Sequence, residues 1–96
     1  MFEGLTSKLS QDTVASGATV TVKSDFVRVT GTTSIATIKS QFGGGFSGVI
    51  FVVPVDGNVA TLTTGNIAVA VTMPQNQVTV LVYSKKDSTW YPGAIS

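Results

Sequence analysis

β-Branched side chains set in short alternating runs dominate this chain, and they leave little room for helix. Val (15) and Thr (14) fill 29 of the 96 positions. A branched Cβ loses χ1 freedom in a helix but packs well on a pleated surface. From Ala18 onward the alternation has period two. Val20 and Val22 share one face, while Thr19, Thr21 and Lys23 share the other. Ser24-Asp25 punctuates the run, and Phe26–Thr30 follows, with Val27 and Val29 opposite Phe26 and Arg28. Gly31-Thr32-Thr33 ends that strand. Residues 34–39 then predict a third, with Ile35 and Ala36 leading to Ile38.

Gly43-Gly44-Gly45-Phe46-Ser47-Gly48 is a break that no regular element would keep. After it, Val49-Ile50-Phe51-Val52-Val53 is apolar on both faces, which suits a central strand or a subunit interface. Pro54 cannot donate to a ladder, so the strand ends or bulges there. Asp56-Gly57 is a two-residue hairpin signal that returns the chain into residues 58–63. Gly65-Asn66 turns it again into a strand over 67–71, and Pro74-Gln75-Asn76 is the next break. Residues 77–83 alternate, with Val78, Val80 and Val82 on one face and Thr79, Leu81 and Tyr83 on the other. A charged loop over 84–88 and Thr89-Trp90-Tyr91 complete a last hairpin before Pro92.

The pattern predicts an all-β fold, a small antiparallel β-sandwich or barrel of about seven or eight short strands. Residues 18–96 form its single domain. Residues 1–17 are expected to be a flexible N-terminal arm. Within that arm Phe2, Leu5 and Leu9 recur at i, i+3 and i+7, a spacing that also suits a helical turn or two, or docking on a neighbouring subunit.

Composition narrows the function classes. There is no Cys and no His, so disulfides, thiolate zinc sites, Cys nucleophiles and Ser-His-Asp triads are excluded. A net charge of +1 supplies no field to steer the chain onto nucleic acid. A domain of this size buries only roughly 60–65% of its unfolded surface. Yet 43% of its residues are hydrophobic, which favours an apolar face shared between chains. Residues 1–10 carry Glu3 and Lys8 and show no secretory h-region. The apolar runs over 49–53 and 67–71 are far too short to span a membrane as helices. The expectation is a chain made in a cytoplasm, without membrane or nucleic-acid partners.

Motifs that carry chemistry are few. Gly43, Gly45 and Gly48 satisfy G-x-G-x-x-G, but a β run follows where a dinucleotide site needs a helix N-terminus, and the position 20 residues on is Ala68. Glu3, Asp12, Asp25, Asp56 and Asp87 are scattered, and the aspartates sit in or near predicted turns. Asp56-Gly57-Asn58 falls far short of a calcium ligand set. Lys85-Lys86 beside Trp90 and Tyr91 suits a solvated hairpin tip better than a nucleic-acid platform. No catalytic, cofactor or metal residue can be named, and the expectation is a non-enzymatic structural or binding protein.

One resemblance gives that role a setting. In order along the chain stand Ile35-Ala36-Thr37-Ile38, Gly45-Phe46-Ser47-Gly48 leading into Val49-Ile50-Phe51-Val52-Val53-Pro54, Thr64-Gly65-Asn66-Ile67-Ala68, Val78-Thr79-Val80-Leu81-Val82-Tyr83 and Trp90-Tyr91-Pro92. This order resembles the small β-rich domain of tailed-bacteriophage virion proteins, found in capsid decoration (cement) proteins and in tail-fibre modules. Tyr83 is followed here by Ser84-Lys85-Lys86-Asp87, where related sequences often show an Asp-Gly turn. Taken as a self-contained chain, it resembles a decoration protein rather than one domain of a long fibre. The resemblance implies a homotrimer in the virion capsid, assembled in the host cytoplasm and bridging subunits of the major capsid protein. The alternative it leaves open is a tail-fibre or baseplate module recognising a host surface glycan. Phe2, Leu5, Leu9, Val49, Phe51, Trp90 and Tyr91 are the interface candidates, each of which could equally be a packing residue.

Overall fold

The computed structural model of the chain describes residues 11–40 and 48–93. Those residues form nine strands and no helix: β1 Gln11–Ala15, β2 Thr19–Val22, β3 Phe26–Thr30, β4 Thr37–Ser40, β5 Val49–Pro54, β6 Val59–Ala60, β7 Thr72–Met73, β8 Thr79–Ser84 and β9 Thr89–Pro92. The all-β expectation therefore holds. β2, β3 and the β8–β9 hairpin lie where the alternation places them, and β5 stops at Pro54.

The strands pair only in part in the antiparallel manner expected. β1, β3, β5, β8 and β9 form, in that order, one mixed five-stranded sheet. β1–β3 and β3–β5 are parallel, while β5–β8 and β8–β9 are antiparallel. β2–β4 is a parallel ladder and β6–β7 an antiparallel one. Parallel neighbours need a long crossover, commonly a helix. Here residues 16–25 and 31–48 make the two crossovers, and each carries a strand of the second ladder, β2 and then β4. The chain thus winds as a coil, alternating between the five-stranded sheet and the β2–β4 ladder. A bridge from Ile35 to Thr61 links that ladder to β6–β7, and the sheets do not close into a barrel.

One core serves all of these ladders. Val27 and Val29 from β3, Ile50 and Val52 from β5, Leu81 from β8 and Trp90 from β9 are buried against Val20 and Val22 from β2 and Ile38 from β4. Ile35, Val59, Ile67 and Met73 complete the cluster. Each such side chain contributes about 1.5–3 kcal/mol on removal from water.

Three further expectations need correction. Asp56-Gly57 does not make a hairpin, because β5 pairs with β3 and β8 while β6 pairs with β7. The Asp56 carboxylate instead accepts the Gly31 N–H at 2.7 Å, tying the end of β3 to the chain beyond β5. The strand expected over 67–71 reduces to one bridge, Ile67 to Trp90. The Thr61 hydroxyl holds the following loop, donating to the Val69 carbonyl at 3.0 Å and accepting the Val71 N–H at 2.9 Å. Finally, Gln11–Ala15, read from sequence as part of the arm, is an edge strand of the main sheet. Most of the Gly43–Gly48 break lies outside the described residues.

Candidate interaction surface

The five-stranded sheet has one face on the core and the other toward solvent, and the centre of the outward face is apolar. Alternation along β5 sends Ile50, Val52 and Pro54 inward and Val49, Phe51 and Val53 outward. In β3, Val27 and Val29 point inward, Phe26 and Arg28 outward. β8 turns Thr79 and Leu81 inward and leaves Val82 exposed, while β9 buries Trp90 and exposes Tyr91.

Register assembles these outward residues into rows. Phe26, Phe51 and Val80 stand side by side across β3, β5 and β8. Val49, Val82 and Tyr91 form the next row across β5, β8 and β9. At the other end Arg28 stands beside Val53, with Val78 exposed just before β8. In the antiparallel pairs, directly opposed side chains lie about 4.5–5.5 Å apart at Cβ, which sets Val49, Val82 and Tyr91 side by side. Phe51, Val82 and Tyr91 keep 36%, 42% and 40% of their surface exposed.

Polar groups mark the ends of the face. The β8–β9 turn carries Lys85 and Lys86, both exposed, beyond Ser84. In the same turn the Tyr91 hydroxyl donates to the Asp87 carboxylate at 2.6 Å. That hydrogen bond, followed by desolvation and the carboxylate's charge, raises the Tyr91 phenol above its ordinary pKa. Ser88 adopts a left-handed conformation (φ 55°) at the end of the turn.

Of the interface candidates, the structure brings Val49, Phe51 and Tyr91 together on this face. Trp90 is not with them. It is fully buried, its ring centroid 5.0 Å from that of Tyr83, and its indole N–H donates to the Ile38 carbonyl at 3.2 Å. Phe2, Leu5 and Leu9 lie outside the described residues. Sequence reasoning missed Phe26, Val53, Val80 and Val82 as members of the face. The signal for Phe26 was present in its alternation against Val27 and Val29, but only cross-strand register joins it to Phe51.

No cluster of three or more acidic or metal-ligating side chains, and no cavity, occurs among the described residues. The chain matches no protein-family model, no curated protein and no solved structure.

Proposed function

We propose that the chain is a non-enzymatic structural protein of a tailed-bacteriophage virion, a capsid decoration (cement) protein that bridges major capsid protein subunits. Its fold would be a small sandwich, with the five-stranded sheet as one layer and the coil's other strands as the second. The observation that carries this reading is the outward face of that sheet, where Phe26, Val49, Phe51, Val80, Val82 and Tyr91 are contiguous. A solvent-facing sheet normally alternates apolar-in with polar-out. A continuous apolar face on both sides is the pattern of a sheet covered by another surface. The ordered motifs from Ile35 to Pro92 supply the virion setting by resemblance. In the proposed assembly three copies sit between capsid subunits in the particle, and weak contacts repeated by symmetry add through multivalency.

The deciding experiment is copy number in purified particles, by quantitative mass spectrometry against the major capsid protein. A ratio comparable with the shell protein supports decoration. A few copies per particle would favour the tail-fibre or baseplate reading, with Tyr91 and Phe51 as the exposed rings for a glycan. Absence from the particle overturns both.

A further inference from the structure

Resting on the decoration reading, we infer that the outward face of the five-stranded sheet is the surface seated on the shell. The geometry points to an apolar shell patch with carboxylates at its margins as the occupant, and not to a second copy of this chain. Size is the first reason. The strands from β3 to β9 span roughly 14 Å between axes, and residues 49 to 53 run about 13 Å, so the footprint is on the order of 300–400 Å² with side-chain margins. A stable pairwise complex buries about 800 Å² per partner, roughly twice that. A face this small holds only where many copies of the contact act together, as on a repeating shell.

Charge is the second reason. Among the strand residues turned outward in this sheet none is acidic, and the charged one is Arg28. Arg28 lies at the Val53 end, while Lys85 and Lys86 follow Ser84 at the opposite end. Asp87, in the lysines' turn, is engaged by the Tyr91 hydroxyl. Asp87 keeps its charge and offsets one of the two lysines, which leaves that end with one net positive charge, so two copies laid face to face set a net positive end over a net positive end in either orientation along the strands. A partner surface that is apolar in the middle and acidic at its margins meets both features, since charge complementarity selects partners and like charges reject them.

The test uses purified shells assembled without this protein and measures occupancy by co-sedimentation with the intact chain. Val82→Lys and Arg28→Glu are expected to lower occupancy about ten-fold or more, the size of effect of removing a central interface residue. Lys39→Glu, an exposed position of β4, is expected to leave it unchanged. Phe51→Ser stands in for Val82→Lys should that variant fail to fold by circular dichroism. If folded face variants load as well as the parent, the inference falls and the decoration reading survives. If the parent itself does not load, both fall. If sedimentation equilibrium shows copies of the parent associating, and Val82→Lys abolishes that association, a second copy is the occupant and the inference is overturned.

Discussion

The side chain of Asn66 pairs with the backbone of Ile38 as a neighbouring strand would. The Ile38 N–H donates to Asn66 Oδ1 at 2.9 Å, and Asn66 Nδ2 donates to the Ile38 carbonyl at 2.8 Å. The Asn66 backbone carbonyl meanwhile accepts the Trp90 N–H at 2.8 Å, so one residue links β4 to β9. Asn66→Ala would leave the Ile38 N–H without that partner, and a buried unsatisfied donor costs about 1–3 kcal/mol. Asn66→Asp keeps the acceptor but sets a carboxylate oxygen against the Ile38 carbonyl, so it is expected to be at least as damaging. Urea denaturation of the two variants checks both.

Gly65 comes so close to β4 that any side chain is excluded. A Cβ there would overlap the Ala36 carbonyl and the Thr37 hydroxyl. Because the obstacle includes backbone, relief requires moving a strand. Gly65→Ala should cost about 1–3 kcal/mol, the range for overpacking, and lower the thermal midpoint.

Thr79 is the reverse case. Its hydroxyl is buried in β8 with no hydrogen-bond partner among the described residues. A desolvated, unpaired hydroxyl costs about 1–3 kcal/mol in proteins. Thr79→Val has nearly the same shape and removes that cost, so it should raise stability by about 1 kcal/mol in the same denaturation assay.

Trp90 and Tyr91 are adjacent but serve opposite faces, and their truncations should separate. Trp90→Ala opens the core and removes the indole bond to Ile38, an expected loss of about 3–5 kcal/mol. Tyr91→Ala removes a partly exposed ring and its bond to Asp87, and should cost distinctly less, about 1 kcal/mol. A larger loss from Tyr91→Ala than from Trp90→Ala would show that the sheet faces are assigned the wrong way round.

The Tyr91–Asp87 hydrogen bond gives a pH signature. The bond favours the protonated phenol, so the folded pKa lies above that of the unfolded chain. Stability from this contact is accordingly full below the unfolded tyrosine pKa and is lost as pH rises through the folded one. Absorbance titration at alkaline pH should show Tyr91 ionising late. Asp87→Asn removes the carboxylate's charge and should lower that pKa, and Tyr91→Phe should remove the transition.

Much of the local structure was legible. Val20/Val22 and Val27/Val29 mark inward faces because an alternating apolar set has only one good place to go. Pro54 ends β5 because it has no N–H to give. The alternation over 77–83 was less informative, being apolar on both faces. Burial there puts the hydroxyl of Thr79 inside and leaves Val78 and Val82 exposed, contrary to side-chain hydrophobicity. The large ring of Trp90 beside Tyr83 decides it, since β8 must turn toward the core the face that pairs with Trp90.

By itself, then, the sequence determined that this chain is a β protein, where most of its strands run and which valines they bury. Those properties depend on side-chain branching, period and backbone donors, all local. Only the tertiary structure decided which strands pair beyond the β8–β9 hairpin, that β1, β3 and β5 run parallel, and that Asp56 ties β3 to the chain beyond β5 instead of turning a hairpin. It also decided that Phe26, Phe51 and Val80 share one exposed row. A strand's pattern states that it needs a neighbour on each edge and a cover on each apolar face. Which segment supplies them depends on loop closure and on packing between residues far apart in the chain, neither of which a local pattern encodes.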